Sequence, residues 1–127
     1  YLKTHNYHWN VTGPMFHSLH LLFEQQYTEL ATAVDTIAER IRALGDKAPG
    51  SYAAFARLSS VKDAEGEPDA TEMLKTLTAD HRIVAERANK VLKLAAGHED
   101  EGTAAIASER IEIHEKAAWM LSAHLGD

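Results

Sequence analysis

Between Pro14 and Gly45 no proline or glycine interrupts the chain, and Leu19, Phe23, Leu30, Val34, Ile37, Ile41 and Leu44 recur there at helical spacing. Such spacing gathers apolar groups into one stripe of a helix, whereas a half-buried strand needs strict alternation. A long helix is the regular structure that suits this stretch. Gly13 as N-cap and Pro14 at the first helical position form its expected start, and Gly45 its end. Ahead of it, Tyr1 to Trp9 reads as the interior of a helix with no cap before it, so the first helix is expected to lack its natural beginning.

Past Gly45, Pro49, Gly50, Gly66 and Pro68 break up residues 46–69 and leave room only for a short helix from Ser51 to Leu58 inside a long crossover. Asp69 followed by Glu72 has the form of a capping box. Met73, Leu74, Leu77, Val84, Ala88, Val91, Leu92 and Ala95 then continue a second long helix up to Gly97. After a polar loop, His98 to Gly102, the residues Ile106, Ile113, Ala117, Met120 and Leu121 mark a last helix that stops near Gly126. No segment carries strand alternation or hairpin turn chemistry. The expected fold class is all-α: a four-helix bundle with a long crossover, carrying a short helix, between the second and third helices. This is the ferritin-like arrangement. With 127 residues and 45% apolar content, the chain is expected to form a single domain, 1–127.

The balance of 19 acidic against 13 basic side chains, net −6, disfavours a nucleic-acid footprint and suits a protein that attracts cations. Cysteine is absent, so disulfides and thiolate metal sites are excluded and any metal must be held by nitrogen and oxygen. No apolar run approaches the roughly 20 residues of a membrane span, and no signal segment opens the chain. A cytoplasmic protein without a membrane partner is expected.

His20 and Glu24 are four residues apart on the long helix, and so are Asp35 and Glu39; each pair projects from one face. At about 100° per residue, with His20 at zero, Glu24, Asp35 and Glu39 fall near about 40°, 60° and 100°, one arc of the helix. Glu24 and Asp35 are nevertheless about 16 Å apart along a straight axis, too far for one ion to bridge. The pairs Glu24/Asp35 and His20/Glu39 share a midpoint between residues 29 and 30, so a two-fold axis there would lay each pair opposite the other in an antiparallel copy. Thr28, Ala31 and Ala38 are small enough to let that copy approach, as a self-complementary dimer contact requires. His8, at the end of the preceding helix, can add an imidazole to His20 and Glu24. Imidazole with carboxylate suits iron, zinc or manganese rather than calcium, and an open site without cysteine favours Fe(II) met by an oxidant over a closed structural zinc.

The stretch Tyr7-His8-Trp9-Asn10-Val11-Thr12-Gly13-Pro14, with Phe16, Leu19-His20, Glu24 and Asp35-Thr36-Ile37-Ala38-Glu39-Arg40, resembles the signature of the Dps family, the mini-ferritins or DNA-binding proteins from starved cells. The resemblance extends to His114-Glu115-Lys116 and Trp119-Met120-Leu121. It implies that His8, His20 and Glu24 of one subunit face Asp35 and Glu39 of its two-fold mate. It implies also a dodecamer built from two-fold dimers, a ferroxidase that oxidises Fe(II) with hydrogen peroxide or dioxygen, stores the ferric product and protects against oxidative stress. Iron is the expected metal, with zinc or another divalent metal as the alternative occupant of the same site. The alternative is a DNA-condensing, nucleoid-associated protection protein with the same ferroxidase activity. DNA-binding members of the family rely on a lysine-rich tail, which is absent from both ends of this sequence, so DNA binding by this chain is not expected.

A Glu-x-x-His motif, which full-size ferritins use inside one bundle, is also absent. Trp9, beside His8, is read as a core anchor rather than a trap for a stray oxidising equivalent. Glu99, Asp100 and Glu101 are either a solvated acidic loop or part of the family's three-fold iron pore, with Ala105 where a further acid is usual. His5 is an accessory group near His8 or a surface histidine; His17, His81, His98, His114 and His124 are not read as ligands.

Overall fold

The computed structural model describes all 127 residues, Tyr1–Asp127, as five α-helices without a strand. They fall into two compact units, Tyr1–Met73 and Leu74–Asp127.

In the first unit, α1 (Leu2–Asn10) packs against α2 (Phe16–Ala43). Tyr7 and Val11 from the end of α1 and Leu19, Leu22 and Phe23 from the start of α2 are buried, with the rings of Tyr7 and Phe23 6.4 Å apart. Burying a Leu or Phe side chain contributes about 1.5–3 kcal/mol, so this cluster dominates the local energetics. The expected start of α2 is corrected. Gly13 sits at φ +103°, a left-handed conformation open to glycine, and its carbonyl accepts from the Phe16 amide at 3.0 Å in a tight turn. Pro14 belongs to that turn, and the helix begins two residues later, with Met15 as N-cap.

The stripe expected on α2 also divides. Its first half is core, whereas Val34, Ile37 and Leu44 are exposed, Val34 by 51%. The short helix α3 (Tyr52–Leu58) forms where expected, with the Ser51 hydroxyl accepting from the Ala54 amide at 3.2 Å. None of its residues is buried, and Tyr52, Phe55 and Leu58 line one exposed apolar side. Helical periodicity records that a face is covered; it does not say whether the same chain covers it.

α4 (Ala70–Gly97) opens with the expected capping box: the Glu72 amide donates to Asp69 Oδ1 and the Asp69 amide to Glu72 Oε2, both at 2.9 Å. In the second unit α4 runs beside α5 (Glu101–Ala123), which begins two residues earlier than a loop through Gly102 allows. Asp100 explains the shift, because its carboxylate accepts from the Thr103 amide at 3.0 Å and caps the helix. Leu74, Leu77 and Ala85 of α4 and Ala107, Ala117, Ala118 and Leu121 of α5 form the apolar core.

Candidate metal centre

His8 ends α1 and His20 lies one turn inside α2, so the Val11 to Met15 connection folds the two imidazoles against each other. Their rings stack at 3.8 Å with 15° between planes. His8 Nδ1 lies 2.7 Å from the His20 carbonyl, and His20 Nδ1 lies 2.7 Å from the His8 carbonyl. A carbonyl only accepts, so both Nδ1 atoms carry the proton and donate it. In the neutral rings each Nε2 is then an unprotonated lone-pair donor. Such reciprocal bonds fix tautomer and ring orientation, the preparation that metal-ligating histidines usually receive from a neighbouring acceptor. His8 is buried and His20 half-buried, whereas Glu24, one turn beyond His20, is exposed.

Asp35 and Glu39 are exposed on the C-terminal half of α2. Because α2 is continuous from Phe16 to Ala43, the separation of about 16 Å between Glu24 and Asp35 stands. Nowhere in the single chain do three imidazole or carboxylate groups converge on a point. The structure therefore pairs His8 with His20, and leaves Glu24 exposed one turn along α2 and Asp35 and Glu39 farther along the same helix. The small residues Thr28 and Ala31 between the two groups are exposed, and Ala38 is half-buried.

An aromatic wall flanks the histidines. The His5 ring stacks on Tyr27 at 3.9 Å with 9° between planes and lies 3.8 Å from the Trp9 ring; Tyr27 meets His8 edge-on at 5.1 Å. His5 is half-buried, held between the rings of Tyr27 and Trp9. Trp9 is corrected too: it is 59% exposed in the chain, no core anchor, and its ring covers His5. Tyr27 was not singled out in the sequence, yet it lies seven residues after His20, two turns along the same face. His98 and His124, at the ends of α4 and α5, lie against the carbonyls of Leu94 and Met120. Of the acidic trio, Asp100 serves as the cap of α5 and Glu99 sits at φ +57°.

The fold is that of a ferritin-like protein, and the ferritin-like domain family model matches residues 1–127. The chain is 37% identical over 125 residues to DNA protection during starvation protein 2 of Bacillus anthracis, covering 98% of this chain and 86% of that one. The crystal structure of a Dps protein from Bacillus brevis superposes with a TM-score of 0.95 at 36% identity, covering 98% and 83% of the two chains. That of the Vibrio cholerae O1 Dps protein, described as a ferritin-like diiron-carboxylate protein, gives 0.93 at 34%, covering 98% and 78%. The chain belongs to the Dps branch of the ferritin-like family, and its fold is the four-helix bundle with a short crossover helix that the sequence led us to expect.

Proposed function

We propose that the protein is an iron-storing ferroxidase acting in the cytoplasm as one ferritin-like domain, with its oxidation site split between two copies. Fe(II) is the substrate, held by Nε2 of His8 and His20 and by Glu24 of one copy, together with Asp35 and Glu39 of a second copy. The observation that carries this reading is the reciprocal pairing of His8 and His20, which holds the proton of each neutral ring on Nδ1 and leaves each Nε2 a lone-pair donor, with the Glu24 carboxylate one turn along α2. Mixed nitrogen and oxygen donors with room for an oxidant suit Fe(II). Zinc or another divalent ion is the expected competitor.

The second copy is called for by the same helix. Val34 and Ile37 flank the unmatched carboxylate pair, and α3 adds Tyr52, Phe55 and Leu58, all exposed in the single chain. An antiparallel neighbour across the midpoint of α2 would bury apolar surface and complete two sites at once, as an isologous contact does. We take the assembly to be a dodecamer of such dimers and the oxidant to be hydrogen peroxide or dioxygen. The test is Fe(II) with stoichiometric peroxide, followed by absorbance of the soluble ferric product. The Asp35→Ala, Glu39→Ala variant should lose most of the initial rate while keeping its helical circular dichroism; a full rate from that variant sinks the assignment.

DNA shielding is a second reading, favoured by the name of the Bacillus anthracis relative and opposed by the net charge of −6. Electrophoretic retention across a salt series separates the two, with little retention expected at any salt.

A further inference from the structure

The second unit buries a polar cluster that the ferroxidase reading leaves unused. Arg110 and His114, one turn apart on α5, and His81 on α4 are each more than nine-tenths buried. Arg110 Nη2 lies 2.9 Å and Nε 3.3 Å from His114 Nε2, and His114 Nδ1 lies 2.8 Å from His81 Nδ1.

Proton placement follows from these contacts. A guanidinium only donates, so His114 Nε2 accepts and carries no proton. A neutral His114 then holds its proton on Nδ1 and donates it to His81, whose Nδ1 must be bare. The row runs in one direction, Arg110 to His114 to His81, with both imidazoles neutral. A proton added at His114 Nε2 would face the guanidinium, and one added at His81 Nδ1 would face the His114 N–H. Either addition breaks a buried hydrogen bond and places a second positive charge beside Arg110, a costly combination at low dielectric. Among the charged side chains near these residues on α4 and α5, Arg82, Glu109, Glu112, Glu115 and Lys116 are exposed. Asp80 is half-buried and is the nearest carboxylate along α4; a proton drawn to His81 by it would still displace the His114 bond.

We propose that Arg110, His114 and His81 form an acid-sensitive latch between α4 and α5, closed near neutral pH and opened by protonation. The sign is fixed by the geometry. The unfolded chain takes up protons on these two histidines below about pH 6.5, the ordinary histidine value, while the closed latch refuses them. Stability is therefore fully present above that value and is lost as the pH falls below it. The folding constant should drop by up to about tenfold per pH unit for each proton taken up.

The test follows exchange of the imidazole C2 hydrogens by mass spectrometry on the full chain, resolving each histidine from about pH 5 to about pH 8. His81 and His114 should stay neutral until the fold gives way. Titration of either buried ring between about pH 6 and about pH 7 in the folded protein overturns the proposal. Denaturant unfolding over the same range adds a second readout. A triple variant, Arg110→Met, His81→Leu and His114→Leu, should lose the acid-dependent part of the unfolding curve; an unchanged slope also overturns it. If that variant does not fold, the exchange measurement on the native chain decides alone.

Discussion

Two inactive chains should rescue each other if the oxidation site is split across a two-fold axis. One parent carries His20→Ala with Glu24→Ala and the other Asp35→Ala with Glu39→Ala. Three of the four residues are exposed and His20 is half-buried, so the carboxylate changes should move stability by no more than about 0.5 kcal/mol each. Each parent alone should oxidise Fe(II) near background. Unfolded together at equal amounts and refolded, they pair at random, so about half of the dimers are mixed. A mixed dimer holds one site assembled from the two undamaged halves and one that is doubly broken. About one quarter of all sites, and of the wild-type initial rate, should return. The assay is stopped-flow absorbance after mixing with Fe(II) and peroxide, with the parents blended but not refolded as the control. A site built within one chain predicts no recovery whatever, so a refolded mixture at background would refute the split cage. So would either parent retaining near-full activity.

Placing a charge on the exposed part of the α2 stripe, Ile37→Lys, should leave the helical signal intact but shift light scattering toward smaller particles, because a desolvated lysine opposes self-association. Phe23→Ala, at a fully buried position, should cost about 3–5 kcal/mol in denaturant unfolding. Asp69→Ala removes one half of the α4 capping box and should cost about 1 kcal/mol by the same measurement.

Helix existence was legible because it rests on local chemistry. The apolar spacing between Pro14 and Gly45, the Asp69/Glu72 box and the Ser51 start of the short helix each need only near neighbours in the chain, and all three appear in the structure. Where a boundary moved, a nearby hydrogen bond moved it, as with the Gly13 turn ahead of α2 and the Asp100 cap of α5. The five proposed ligands could be named from spacing and resemblance because helix period assigns a residue to a face without reference to any partner.

Tertiary structure decided what those faces meet. That His8 and His20 exchange Nδ1 bonds with each other's carbonyls, and so share one tautomer, depends on the path of the Val11 to Met15 connection rather than on residue identity. The same holds for Trp9, turned onto His5 instead of into the core, and for the row of Arg110, His114 and His81, whose members come from two helices. A sequence fixes the period of a helix through neighbours along the chain, but proton direction, stacking and burial are set by atoms that only folding brings within a few ångströms.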